Sequence, residues 1–224
     1  HAGGHVAVYP MFAENRRRER RWDVIELLKR NYWVQDVIDY SGLEQDGLSL
    51  EGTGAMVLDH IGRIAFTVKS NRADPVLLER FCTHFNFEPM VFEAKDEAGR
   101  DVYHTNVLMG IGTEYALICL DMIVDPARRA EVAARLEETG RQVIDLTPEQ
   151  IASFAGNALE LTGRNRLLAL SAKALEALRP DQTSVIEQSA EPLPLTIPTI
   201  ETAGGSVRCM LAGIHLSPRE RKTA

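Results

Sequence analysis

Cysteine is scarce in these 224 residues: there are three, at positions 82, 119 and 209, and no CxxC pair. An odd number at wide spacing gives no support to a disulfide framework and points to a reducing, cytoplasmic setting. No apolar run approaches the roughly 18 residues of a spanning helix, and no signal peptide is visible. Positive charge is in deficit, with 25 Lys and Arg against 32 Asp and Glu and a net charge of −7. That balance argues against nucleic acid or an anionic membrane as partner and is compatible with a cationic or zwitterionic small substrate. No Gly-rich phosphate loop occurs. His60, His84 and His215 lack partners at ligand spacing, so no metal site is expected. His1 and His5, four apart, read as a frayed terminus.

Apolar residues make up 45% of the chain, enough for one large or two small cores. The first residue is His1 and a strand-like run, 6–9, begins almost at once, as in an N-terminally truncated chain. Four segments begin with small or polar residues and continue as apolar strands: Glu51–Leu58, His104–Met109, Ala155–Leu159 and Gly204–Leu211. Their starts are about 50 residues apart, the period of a repeat architecture. Each of the first three leads through a turn to a second strand, at 63–68, 115–120 and 166–171. Helices are expected next at 75–85, 126–139 and 172–178.

In the first of these helices Val76, Leu77, Phe81 and Phe85 share a spacing. The second has Asp125 as N-cap, Pro126 at its first position, Gly140 past its end, and Ala130, Ala133 and Leu136 on one face. An earlier helix at 15–30 would bury Trp22, Ile25 and Leu28. Its Arg16, Arg17, Arg18, Arg20 and Arg21 would form a solvated or salt-bridged face, because no aromatic stacking platform accompanies them. Further strands are expected at 35–40, 89–93, 141–146 and 195–199, and a last pair at 207–209 and 213–216. The unit is therefore strand–strand–helix–strand. Such ββαβ units set about an axis make an α/β propeller. Residues 96–101 and 181–194 read as surface loops, the latter as a lid.

Three of the repeat starts carry Glu51, His104 and Cys209. Pseudo-symmetry would bring a carboxylate, an imidazole and a thiol to one pocket, the set needed to attack an amidine or acyl carbon. The thiolate is the nucleophile, the imidazole can protonate the leaving group and then activate water, and a carboxylate can grip a guanidinium in a fork. Gly204-Gly205 permits close backbone approach or positive φ before Cys209. Cys82, inside a helical run, and Cys119, inside an apolar strand, read as small buried hydrophobes.

With those residues in place, several pieces resemble the arginine deiminase-related branch of the amidinotransferase (pentein) superfamily, nearest to citrulline utilisation hydrolases. They are Val8-Tyr9-Pro10-Met11-Phe12 with Asn15-Arg16-Arg17, Leu50–Gly54, Tyr103–Val107, Phe154–Asn157, and Ile197–Thr202 running into Gly204–Met210. They follow family order over nearly the whole chain. The resemblance implies a single catalytic domain, 1–224, holding about four of five propeller units and lacking the N-terminal one. It implies Cys209 as nucleophile, His104 as general acid/base, Glu51 as the carboxylate on the guanidino or ureido nitrogens, and Arg72, in Ser70-Asn71-Arg72, on the substrate carboxylate.

Asn106 stands two residues after the histidine, where arginine deiminases usually carry Asp, and its neutrality suits a ureido group. The expected activity is cleavage of a non-peptide C–N bond in a small guanidino or ureido amino acid, with no cofactor. Alternatives are an amidinotransferase or dimethylarginine hydrolase of the same architecture, a non-catalytic pentein that binds another protein, or an inactive fragment. An open ring would leave sheet edges exposed, which predicts dimerisation or poor solubility.

Overall fold

A computed structural model describes residues 1–219. The expected repeat is present. Strand β1 (His5–Val8) lies parallel to β2 (Asp36–Asp39), joined through helix α1 (Trp22–Asn31). The one-turn helix α2 (Gly52–Ala55) then opens the first full unit. It comprises β3 (Met56–Asp59), β4 (Ile64–Val68), α3 (Pro75–Phe85) and β5 (Glu88–Phe92). The second unit opens on α4 (Thr105–Leu108) and runs β6 (Met109–Ile111), β7 (Tyr115–Ile118), α5 (Pro126–Glu137), β8 (Gln142–Asp145). After α6 (Pro148–Ala152) the third has β9 (Leu159–Thr162), β10 (Arg166–Ser171), α7 (Ala172–Ala177), α8 (Pro180–Glu187) and β11 (Glu191–Leu195). Helix α9 (Pro198–Thr202) follows.

Each full unit is one three-stranded sheet: a hairpin whose second strand is also paired, in parallel, with the strand after the helix. The sheets are separate, and none closes on itself among the described residues. Their inner strands are buried along their length, as at Ile64–Val68 and Tyr115–Ile118. One continuous apolar core runs from Val57, Phe66 and Met90 through Leu117 and Ile144 to Leu168 and Ile186. A second gathers Leu50, Leu77 and Phe81 beneath α3.

Close approach between units is built into the sequence. A Cβ on Gly156 would sit 2.7 Å from the Val107 carbonyl oxygen. Arg141 and Asp59, both fully buried, form a forked ion pair across the first two units, with N···O distances of 2.7 and 2.9 Å.

Several expectations need correction. The helix expected at 15–30 is a 3-10 turn (Glu14–Glu19) followed by α1. The turn's arginines bend toward carboxylates: Arg16 to Glu19 and Glu51, Arg17 and Arg20 to Glu44. No residue of α1 is buried, and Trp22 is 57% exposed, because nothing covers that face among the described residues. Helix α5 buries Val132 and Leu136, four apart, with Ala130 exposed. In α3, Val76 is exposed while Leu78 and Cys82 join the buried face.

The presumed lid, 181–194, is α8 and most of β11. β11 is an edge strand, so Pro192 and Pro194 can direct their missing N–H to its free side. It occupies the strand register expected at 195–199, and Pro198 starts a helix instead. The last strand pair does not form: Val207–Met210 is a 3-10 turn, and no strand follows it among the described residues. The Arg208 N–H is taken by Asn157 rather than by a strand partner. His1 is not frayed; its ring packs on Phe81 and Phe85.

Candidate active site

Glu51 and His104 occupy equivalent places, each the residue before a one-turn helix that leads into a strand. Helices α2 and α4 pack together, and the Thr105 hydroxyl, which donates to the Ala55 carbonyl, accepts the Val68 N–H at 2.7 Å. Gly54 has no side chain because the His104 ring lies against it; a Cβ there would be 3.1 Å from Nδ1 and Cε1. His104 Nε2 is 2.8 Å from Glu51 Oε2.

The Glu51 carboxylate is buried and crowded. Arg16 Nη1 donates to Oε2 at 2.8 Å, the Phe12 N–H donates to Oε1 at 3.1 Å, and Arg72 Nη1 stands 3.7 Å from Oε2. Burial pushes this carboxyl up, but the hydrogen bond and charge of His104, with Phe12 N–H and Arg16, outweigh it and hold Glu51 below its ordinary value. Arg72 also lies over the Tyr103 ring, 4.9 Å from its centre.

Cys209 reaches the same cleft from the other side, on the 3-10 turn Val207–Met210. Gly204 takes φ +87°, the left-handed turn that its glycine permits, ahead of this segment. Cys209 is exposed, whereas Cys82 and Cys119 are buried, as expected. Among the described residues the sulfur's hydrogen-bond donors are two carboxamides: Asn157 Nδ2 at 3.2 Å and Asn106 Nδ2 at 3.5 Å. His104 gives its Nε2 to Glu51 and is not hydrogen-bonded to the sulfur here. The cleft encloses about 860 Å³ and is walled by these residues, by α1, and by the segment after Cys209.

All five residues singled out in the sequence, Glu51, Arg72, His104, Asn106 and Cys209, line this one cleft. Sequence reasoning missed Arg16, hidden in a run of arginines, and Asn157 and Arg208, whose contacts are tertiary. The signals for Asn157 were its place in the third repeat start and in the family-like piece Phe154–Asn157.

A sequence profile described as "N,N dimethylarginine dimethylhydrolase, eukaryotic" matches residues 1–216. This chain belongs to that family. The resemblance to the arginine deiminase-related superfamily is thereby borne out, and the family is one of the alternatives weighed above. No curated protein sequence matches the chain.

Solved structures share the fold. The N-terminal domain of ArgZ, an arginine dihydrolase from cyanobacteria, covalently bound to a reaction intermediate, aligns with TM-score 0.71 at 18% identity. The match covers 93% of this chain and 70% of that domain. A complex of an AgrE mutant with L-arginine aligns with TM-score 0.75 at 15% identity, over 98% and 30% of the two chains. Dimethylarginine dimethylaminohydrolase carrying an S-methyl-L-thiocitrulline adduct aligns with TM-score 0.61 at 11% identity, over 94% and 71%. The chain spans about a third of ArgZ, whose apo structure it covers to 32%. No described helix is long and apolar enough to cross a membrane.

Proposed function

We propose that this chain is a cysteine hydrolase that cleaves the C–N bond of a guanidino or ureido amino acid. The observation that carries this reading is the meeting of one exposed thiol, one histidine and one buried carboxylate in a single cleft. The cycle is covalent. The Cys209 thiolate adds to the central carbon, forming a C–S bond, and His104 passes its proton to the departing nitrogen as the C–N bond breaks. The now neutral His104 takes a proton from water. The hydroxide adds to the carbon and the C–S bond breaks, which returns the thiolate. Glu51 keeps His104 oriented, and Arg72 takes the substrate carboxylate. No cofactor enters the cycle.

The geometry favours a neutral ureido group over a guanidinium. Asn106 brings no charge, and the Glu51 carboxylate is already shared between Arg16 and His104. The dimethylarginine reading is kept as the second, on the strength of the family match. The units are taken to stand about a common axis as a propeller forming one domain, 1–224.

The test is product detection with citrulline, arginine and dimethylarginine, reading ornithine, ammonia, citrulline and dimethylamine. Turnover that disappears in Cys209→Ala is the expected result, with citrulline preferred. Absence of turnover on all three substrates would favour a non-catalytic binding protein.

A further inference from the structure

Asn157 is only 1% exposed, and its side chain is committed to the Cys209 turn. Its Oδ1 accepts the Arg208 N–H at 3.1 Å, and its Nδ2 donates to the Asn106 carbonyl at 2.8 Å and to Cys209 Sγ at 3.2 Å. The backbone donor on one side and the carbonyl on the other fix which way the carboxamide faces. Its NH2 must therefore point at the sulfur. The Asn106 NH2 approaches the same atom at 3.5 Å. The Asn157 NH2 can only donate to Sγ, a setting that suits an acceptor and therefore the thiolate.

Next to the sulfur in sequence, Arg208 is 8% exposed. Its Nη1 reaches the Ala158 carbonyl at 3.4 Å, its Nε has no partner, and no carboxylate among the described residues pairs with it. An isolated buried cation is costly unless an anion compensates it. Burial pushes this guanidinium down to about 10, and Cys209 opposes the shift. The other charged or titratable groups around the cleft are His1, Tyr9, Arg16, Glu19, Arg20, Arg21, Glu51, Arg72, Tyr103 and His104.

We propose that Asn157 is a positioning residue that holds Cys209 as a thiolate, and that the buried, acid-free charge of the adjacent Arg208 favours the same form. One carboxamide thus fixes both the backbone of the Arg208-Cys209 pair and the sulfur itself. The inference rests on Cys209 being the nucleophile, but its test requires no turnover. Burial pushes the Cys82 and Cys119 thiols up, to about 12 and about 11, so alkylation by iodoacetamide at neutral pH reports Cys209.

In Asn157→Asp, which keeps the shape, loses the donor and adds a negative charge beside the sulfur, the alkylation rate at pH 7 is expected to fall at least tenfold. Loss of one hydrogen bond to a charged group accounts for about tenfold by itself. Arg208→Met, which removes the cation and leaves Asn157 its backbone bonds, is expected to fall as far. Both rates should meet the parent's at pH 10. Circular dichroism identifies a variant that has lost its fold, and Arg208→Met then carries the comparison if Asn157→Asp has. A folded variant that alkylates within twofold of the parent at pH 7 would overturn the proposal. So would an equal loss at pH 7 and pH 10, which would mark a change of access rather than of charge. Cys209→Ser must abolish the labelling.

Discussion

Glu51 and Asp59 are both buried carboxylates facing arginine, and they do different work. Asp59 has Arg141 in a two-pronged pair and also accepts the N–H groups of Ile61 and Gly62, so it is fully satisfied. Removing one member strands the other's charge. Asp59→Ala should cost about 3–5 kcal/mol, read from urea unfolding, with little effect on Cys209 alkylation in the fraction that folds. Glu51 instead holds His104, the proton carrier of the proposed cycle. Glu51→Gln should lower kcat about a hundredfold, as loss of a preorganised charge does, with Tm changed far less than in Asp59→Ala. That Glu51, His104 and Cys209 line one cleft was legible because reactive side chains recur at similar places in the repeat. Arg208 and Asn157 were not. An arginine without an acid partner and a carboxamide with three bonds are facts about neighbours, and neighbours more than fifty residues away leave no local pattern.

Helices with a chemical start signal were legible almost to the residue. Asp125 caps α5 by accepting the Ala127 N–H at 2.9 Å with Pro126 next in line, and Asp74 does the same for α3 through Val76 at 2.8 Å. Asp125→Ala should cost about 1 kcal/mol, measured as a shift in the urea midpoint. Segments whose state depends on what lies beside them were misread. The 181–194 stretch looked polar enough for a loop, yet Gln182 is buried against Gln150, with amide contacts at 2.7 and 3.3 Å, and so anchors α8. The 207–216 stretch had strand-like residues but pairs with no sheet, and its first part, Val207–Met210, is a turn that carries the thiol.

The segment 215–219 is tied back to residues 31–33 and 60. The Trp33 N–H meets the Ser217 carbonyl at 2.9 Å, the Arg219 N–H meets the Asn31 carbonyl at 2.9 Å, and the His60 and His215 rings stack 4.0 Å apart. Burial, His215 and Arg63 push His60 down to about 4, and burial also lowers His215. In the unfolded chain both titrate near the ordinary 6.5. Between that value and about 4 the unfolded state binds more protons, so stability is full above pH 6.5 and falls as the medium is acidified through this window. His60 keeps much of its surface open to solvent despite that burial, so screening trims the loss to about 1 kcal/mol. The urea midpoint should drop between pH 7 and pH 4.5, and less steeply in His60→Phe.

The three full sheets occupy stretches of equal length, 56–92, 109–145 and 159–195, and each is complete within its own stretch. Pairing of that kind is local in sequence and closes quickly. On a chain emerging from the ribosome the sheets can form one after another, and the carboxylate, the imidazole and both carboxamides are in place before residue 209 leaves the tunnel. Cys209 is synthesised after all four of those groups, and it is received by a seat already built for it.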